Sequence, residues 1–214
     1  LPVVRRMWAQ FQRGLPDGVS VRAWQKRTDV LRAMIVGPEG TPYEGALFAF
    51  DLALPATYPA QPPTVHYLTQ GIGARLNPKR YENRKVCLSL LGTWSGPRWD
   101  PSSSTILQLL VSIQGLILVD KPYYNEPGHE KQAGSAEGEQ HAQRYNENTR
   151  LLALQALVNI AKRPPKGLRE PVRAHLRARG AGIVASVEKI ITGDAKPDGD
   201  VKPPPAAPDG DAPA

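Results

Sequence analysis

Four short apolar runs between residues 19 and 68 constrain the fold of this chain more than any other feature of its sequence. Their letters are VSVRAW, DVLRAMIVG, ALFAFDLAL and TVHYL, and apolar residues in them alternate or follow one another directly. The proline- and glycine-rich stretches GPEGTPYEG and YPAQPP separate the later runs. Short apolar runs with such punctuation are typical of strands joined by turns. The sequence therefore predicts a four-stranded antiparallel meander.

Helical patterns flank these four runs. Before them, VVRRMWAQFQRG has apolar residues three and four positions apart and predicts an amphipathic helix that ends at Gly14. After them, STILQLLVSIQGLILV is apolar on most of its faces, which fits a helix buried against the sheet. GEQHAQRYNENTRLLALQALVNIAKR predicts a helix that ends before Pro164, and LREPVRAHLRARGAGIVASVEKIIT predicts one or two more, with Gly180 and Gly182 as the break. This order of elements predicts an α+β fold, with the sheet packed on one helical layer.

Composition predicts one folded domain followed by a tail. A chain of 214 residues, of which 41 % are hydrophobic, can bury one sizeable core and has no room for a second full domain. Residues 193–214 are rich in Pro, Gly, Ala and Asp and cannot bury enough surface to order themselves, so we predict a disordered acidic tail. The predicted core spans residues 1–163, and residues 164–192 form a helical extension of the same domain.

The single cysteine and the charge pattern narrow the class of protein. One cysteine cannot form an intramolecular disulfide, which favours a reducing compartment, the cytoplasm or the nucleus. No apolar run reaches the roughly 18 residues of a membrane span, and the charged N-terminal stretch does not resemble a signal peptide. The formal net charge of +7 comes from Arg and Lys spread along the chain with few aromatic residues between them. We therefore expect an acidic protein partner rather than a nucleic acid.

The punctuation of the strand region resembles that of ubiquitin-conjugating enzymes. GPEGTPYEGALFAFDLALPATYPAQPPTVHY carries their Gly-Pro, Pro-Tyr-x-Gly, Tyr-Pro and Pro-Pro signals in order, and KVCLSLL and WDP follow, so the resemblance covers roughly residues 3 to 163. It implies the family's UBC fold, a four-stranded antiparallel meander packed on helices, here with extra C-terminal helices.

Three further segments resemble the large enzymes of this family that combine conjugating and ligase-like activity, including the big plant versions. These segments are GTWSGPR, PYYNEPG and RYNENTRLL. In such enzymes the conjugating domain lies near the C-terminus of a long chain. A start at Leu1 rather than Met fits that arrangement, and we interpret the sequence as a fragment of a longer protein.

Cys87, within KVCLSLL, aligns with the family's nucleophile. The resemblance implies that its thiolate accepts the C-terminal carboxyl of ubiquitin from the activating enzyme as a thioester and passes it to a substrate lysine. It also implies no cofactor on this chain, because ATP is used by the activating enzyme. A lone cysteine is more often a buried small hydrophobe, but the flanking residues favour the nucleophile. We predict no metal site, because the histidines are scattered along the sequence at His66, His129, His141 and His175.

The family places a His-Pro-Asn tripeptide ten to eight residues before the nucleophile, and here these positions are Asn77, Pro78 and Lys79. The family's Asn is usually assigned to the oxyanion or to holding the loop, so Lys79 departs from the pattern, while Asn77 remains a candidate donor if the loop shifts. Three interpretations of Lys79 stay open: an ammonium that aids the oxyanion, a residue that weakens the enzyme, or a structural loop residue. Modification of Lys79 itself is a further alternative.

The family activates the attacking lysine from the loop after the buried helix, here VDKPYYNEPGHE. A free lysine amine has a pKa near 10.4, so the site needs desolvation, a carboxylate, or both. The candidates are Asp120, Asn125 and Glu126, with Tyr123 and Tyr124 as walls around the incoming side chain. Spacing does not choose among them, and a solvated loop charge is the alternative for each carboxylate.

Two groups of residues resemble the family's contacts with partner proteins. Those for ligases are Tyr67, Trp99 and Pro101, and those for the activating enzyme are Arg5, Arg6 and Arg13 on the first helix. Core packing is the alternative for all three of the first group, Trp99 in particular, and a solvated helix face is the alternative for the arginines.

Two other classes of function compete with the enzyme. The first is a conjugating-enzyme fold that has lost catalysis and binds ubiquitin or a partner noncovalently, a hypothesis motivated by Lys79. The second is a basic nucleic-acid binder, which rests on charge alone. The retained Cys87 argues against the first, and the lack of an aromatic platform argues against the second.

Overall fold

The computed structural model describes residues 2–68, 71–73, 76–79 and 86–193, with side chains from residue 7 onward. Of the predicted tail, residues 194–214 lie outside the described residues. The strands are β1 (Val19–Trp24), β2 (Arg27–Val36), β3 (Leu47–Ala53) and β4 (Thr64–Leu68). The α-helices are α1 (Pro2–Arg13), α2 (Ile106–Leu116), α3 (Ala136–Lys162) and α4 (Arg169–Thr192). Short 3-10 helices cover Ser89–Leu91, Pro122–Asn125 and His129–Gln132.

The four strands form an antiparallel meander in the order β1-β2-β3-β4, which confirms the predicted α+β fold. Ile35 pairs with Phe48, and Phe50 pairs with Tyr67. Because side chains alternate between the two faces of a strand, these residues share one face, which we call the inner face. Its buried members include Leu31, Ala33, Ile35, Phe48, Phe50, Leu52, Val65 and Tyr67.

Helix α2 supplies the apolar layer that packs with the sheet in one hydrophobic core. Leu109, Leu110 and Ile113 are fully buried, whereas Val111 and Leu116 are exposed on the opposite side. Most residues of this helix are apolar, and it has no glycine or proline before Gly115. The helix begins where the Thr105 hydroxyl accepts a hydrogen bond from the Gln108 N–H (3.0 Å).

We expect Thr105→Ala to lower the free energy of unfolding by about 1 kcal/mol, because the N-terminus of α2 loses its side-chain cap. Thr105→Ser keeps the hydroxyl and is the matched control. Urea unfolding followed by circular dichroism measures both. Equal stability of the two variants would show that the cap contributes little to α2.

The outer face of the sheet is covered as well. Met34, Leu47 and Ala49 point away from the inner face and are nonetheless buried. The segment between α3 and α4 lies over this face. There Arg32 forms a bidentate ion pair with Asp51 (2.6 and 2.8 Å) and also donates to the Lys166 carbonyl (3.0 Å). These bonds tie the C-terminal helices to the middle strands.

Helix α4 runs without interruption from Arg169 to Thr192, so the alternative of two helices with a break at Gly180 and Gly182 is wrong. A glycine inside a helix costs only about 1 kcal/mol relative to alanine. This cost is too small to end a helix that other residues anchor to the rest of the protein. Here Val172 is buried, and His175 lies 2.8 Å from the Gly45 carbonyl.

Candidate active site

Cys87 lies in a loop segment whose backbone is hydrogen-bonded at Cys87 itself and at the residues before and after it. Its N–H donates to the Lys79 carbonyl (2.7 Å). On the other side, the hydroxyl of Thr93 accepts from the Leu88 N–H (2.9 Å) and lies 3.1 Å from the Val86 carbonyl. Cys87 is buried, yet it does not belong to the hydrophobic core cluster. Its position is therefore fixed by backbone hydrogen bonds to neighbouring loops.

Asn77 holds the loop before the cysteine by three hydrogen bonds. Its side-chain amide donates to the Tyr43 hydroxyl (2.9 Å) and the Ile117 carbonyl (2.7 Å), and its side-chain oxygen accepts from the Lys79 N–H (2.8 Å). Asn77 is 2 % exposed. Both amide hydrogens are engaged inside the protein, so donation from Asn77 to an oxyanion requires the loop to shift, and that role stays a prediction. In the arrangement described, Asn77 is a positioning residue.

The Lys79 ammonium lies at the C-terminal end of α2, and the Lys79 backbone carbonyl accepts from the Cys87 N–H. The ammonium donates to the Leu116 carbonyl (3.2 Å) and lies 5.5 Å from the ring centroid of Trp94. Burial lowers the pKa of Lys79, and the Coulombic interaction with Cys87 acts in the opposite direction. The hydrogen bond to Leu116 gives the side chain a defined place, and the three interpretations of Lys79 stay open.

The three candidates in the loop after α2 occupy different places. Asn125 donates to the Leu116 carbonyl (3.4 Å), the same acceptor that Lys79 uses, so the structure brings Asn125 to the site. Asp120 is exposed, and only its backbone carbonyl is tied down, by Asn146 (2.7 Å). Glu126 is partly buried. The structure therefore distinguishes Asn125, which reaches the end of α2, from Asp120 and Glu126, which sequence spacing could not rank.

The two predicted wall residues brace this loop against α3. The Tyr123 ring stacks on His129 with 4.3 Å between centroids, and its hydroxyl donates to Gln132 (3.0 Å). Tyr124 donates to Glu139 (3.1 Å). The Glu139 carboxylate also pairs with Lys121 (2.6 Å), and this hydrogen bond lowers the pKa of Glu139. Both tyrosines thus contribute to loop position whether or not they contact an incoming lysine.

The prediction that Tyr67 contacts a ligase is wrong in this structure. Tyr67 is 3 % exposed and packs between the rings of Phe48 and Phe50. The reason is the alternation along β4, which turns Val65 and Tyr67 inward and leaves Thr64 and His66 exposed.

The other predicted partner contacts have mixed locations. Trp99 is partly buried, lies against Tyr58 and donates to the Pro59 carbonyl (2.7 Å), so it has a packing role. Pro101 and Arg13 are exposed. The side chains of Arg5 and Arg6 lie outside the described residues. Contact of Trp99, Pro101 and Arg13 with partner proteins remains a prediction.

The described part of the chain contains no group of three His, Cys, Asp or Glu side chains that could hold a metal ion. Two of the four histidines share Tyr123 as a neighbour: His129 stacks on its ring, and the Nδ1 of His141 lies 3.3 Å from its hydroxyl. Over the same residues, no helix has the length and apolar character needed to cross a membrane.

Three residues of the site were missed by sequence reasoning. Thr93 and Trp94 belong to the GTWSGPR insertion, which was noted only as a point of resemblance. Thr93 links the residues on either side of Cys87, and Trp94 lies against Lys79. The third, Tyr43, is fully buried and joins Asn77 to the Leu76 carbonyl (3.0 Å). The role of Tyr43 depends on contacts across 33 and 34 positions, and those of Thr93 and Trp94 depend on an irregular loop, so neither leaves a periodic signal.

A meander sheet with α2 on its inner face, followed by a cysteine that a preceding Asn-Pro loop holds in place, defines the UBC class of domain. The chain matches the family model for ubiquitin-conjugating enzymes over residues 4–153, which includes this site. The chain belongs to the ubiquitin-conjugating enzyme family.

Curated relatives include plant and animal members of this family. The chain is 50 % identical over 189 residues to the probable ubiquitin-conjugating enzyme E2 23 of Arabidopsis thaliana, covering 87 % of this chain and 17 % of that protein. It is 50 % identical over 193 residues to the probable ubiquitin-conjugating enzyme E2 26 of the same plant, covering 89 % and 35 %. The human dual E2 ubiquitin-conjugating enzyme/E3 ubiquitin-protein ligase BIRC6 is 39 % identical over 180 residues, covering 82 % and 4 %. The chain therefore spans a minor part of the length of each of these relatives.

Proposed function

We propose that this chain is a ubiquitin-conjugating domain that accepts ubiquitin on Cys87 as a thioester and transfers it to lysine side chains. The observation that carries this proposal is the placement of Cys87 within the family match, where Lys79, Asn77 and Thr93 fix the flanking backbone. A thiolate suits this role because it attacks an acyl carbon readily and leaves readily. The chemistry requires no cofactor on this chain, because the activating enzyme consumes the ATP.

The proposed partners are ubiquitin, the ubiquitin-activating enzyme and substrate proteins. Relatives whose names combine conjugating and ligase activity support transfer without a separate ligase. A basic chain with a single cysteine supports work in the cytoplasm or the nucleus with acidic protein partners. A noncovalent binding module is not favoured, because the chain retains Cys87 and its supporting loop within the family match.

The decisive experiment is a charging assay with this chain, activating enzyme, ATP and ubiquitin. We expect an adduct of one ubiquitin that disappears on treatment with reductant, as a thioester does. Omission of ATP is the control. A folded chain that forms no such adduct would contradict the proposal and leave the binding module as the alternative.

We expect Asn125→Ala to slow the discharge of ubiquitin to free lysine by roughly tenfold. The physical reason is that Asn125 lies beside Lys79 at the end of α2, whereas the Asp120 side chain is exposed. Asp120→Asn is the matched control, with an expected change of less than about twofold. Single-turnover discharge of the preformed thioester measures both. The opposite order of effects would assign the lysine-activating role to Asp120.

A further inference from the structure

Lys79 is a charged residue whose backbone is adjacent to that of Cys87 in the fold. The two residues are joined through the backbone, since the Lys79 carbonyl accepts from the Cys87 N–H (2.7 Å). The Lys79 side chain then reaches the end of α2 and is partly buried there. The hydrogen bond to the Leu116 carbonyl therefore gives this ammonium a defined place at the end of α2.

We propose that Lys79 supplies a fixed positive charge that stabilises the thiolate form of Cys87. This inference rests on the proposed function of Cys87 as the nucleophile. It assigns to Lys79 an electrostatic role that a neutral asparagine at the same position does not have.

The surroundings of Lys79 favour its charged form. Leu116 is the last residue of α2, and the free carbonyls at a helix C-terminus attract a cation. The Leu116 carbonyl accepts from the ammonium (3.2 Å), and the Trp94 ring lies 5.5 Å away, within range of a cation–π interaction. Partial burial opposes the charge by desolvation. The carbonyl, the ring and the helix terminus act against this loss.

The electrostatic interaction between the two side chains is mutual. Burial is the larger influence and lowers the pKa of Lys79, while the charge of Cys87 acts to raise it; by linkage the ammonium favours the deprotonated thiol by the free energy of that second influence. Without Lys79, the negative C-terminal end of α2 would disfavour a thiolate nearby. Lys121, in the loop after α2, is already paired with Glu139. Lys79 therefore offsets the negative charge at this end of the helix.

A stabilised thiolate affects both halves of the reaction. During charging, the sulfur of Cys87 forms a bond to the acyl carbon of ubiquitin as the bond from that carbon to the activating enzyme breaks. During discharge, the lysine nitrogen forms a bond to the same carbon, the carbon–sulfur bond breaks, and Cys87 leaves as thiolate while the amine loses a proton to solvent. Lys79 acts on the sulfur in both steps without forming a bond itself.

The test is a pH titration of the Cys87 thiolate in the whole chain. Since Cys87 is the single cysteine of the sequence, the ultraviolet absorbance of the thiolate reports this residue alone once the Cys87→Ser baseline is subtracted. We expect Lys79→Met to move the midpoint to higher pH by about one unit, and Lys79→Arg to leave it nearly unchanged. In parallel, alkylation of Cys87 near neutral pH is expected to slow about tenfold in Lys79→Met.

Matched variants separate a lost charge from a disturbed fold. Lys26→Met removes an exposed lysine in the turn between β1 and β2 and should leave the titration unchanged. Lys79→Gln keeps a polar head group and should behave like Lys79→Met. Coincident midpoints for the wild type and both neutral variants would overturn the proposal about Lys79. Because this titration needs neither ubiquitin nor the activating enzyme, its failure is distinguishable from failure of the charging assay.

Discussion

Cys87→Ser is expected to abolish transfer of ubiquitin to lysine, with a loss of at least about 10³-fold. A serine hydroxyl is a far weaker nucleophile than a thiolate, and the alkoxide of an oxyester is a far poorer leaving group. Cys87→Ser should therefore accumulate a ubiquitin adduct that resists reductant and does not discharge. Gel analysis with and without reductant, followed by a chase with free lysine, measures both properties.

Cys87→Ala is the matched control for this prediction, because it keeps the small buried side chain and removes the nucleophile. It should fold like the wild type and form no adduct. Transfer by Cys87→Ser within about tenfold of the wild-type rate would show that the thiol is not the acceptor. The buried location of Cys87 would then have only a packing role.

Asn77→Leu is expected to lower the free energy of unfolding by about 3 kcal/mol. The substitution keeps the side-chain volume but removes the amide that bonds the Tyr43 hydroxyl, the Ile117 carbonyl and the Lys79 N–H. The Ile117 carbonyl and the Lys79 N–H lose the hydrogen bonds that Asn77 supplies, and each such loss costs about 1–3 kcal/mol before relaxation, whereas the Tyr43 hydroxyl keeps its hydrogen bond to the Leu76 carbonyl. The loop that carries Lys79 also loses its anchor, so charging of Cys87 should fall together with stability.

Tyr43→Phe is the matched variant, because it removes one hydroxyl of the same network and keeps the ring packed on Phe48. We expect a smaller loss of about 1–2 kcal/mol. Urea unfolding of both single variants and the double variant gives their coupling energy. If the stability losses of the two single variants simply add in the double variant, the 2.9 Å hydrogen bond between Asn77 and Tyr43 does not help to hold the loop.

The meander was predictable because each strand carries its own signal. The alternation in β1 and β4 and the Pro/Gly turns between strands are local, and the observed order and pairing follow them. The same alternation also contained the information that Tyr67 is buried, because its pairing with Phe50 places both on the inner face. The predicted ligase contact of Tyr67 relied on family resemblance more than on this alternation.

The candidate site was predictable in part. The flanks of Cys87 and the Asn-Pro-Lys positions indicated the candidate nucleophile and the loop that precedes it. The separate contacts of Asn77 and Lys79 were not predictable, because they depend on where α2 ends. Asn77 bonds the carbonyl of Ile117 and Lys79 bonds that of Leu116, 40 and 37 positions away along the chain.

The sequence by itself determined the elements, their order and the one residue able to form a thioester, because periodicity, turn residues and a single thiol are local properties. Tertiary structure decided which neighbours that thiol has. The end of α2, the GTWSGPR insertion and the loop with Asn125 meet at Lys79 through long-range hydrogen bonds and packing. Such contacts depend on the three-dimensional path of the chain, and no local pattern in the sequence encodes them.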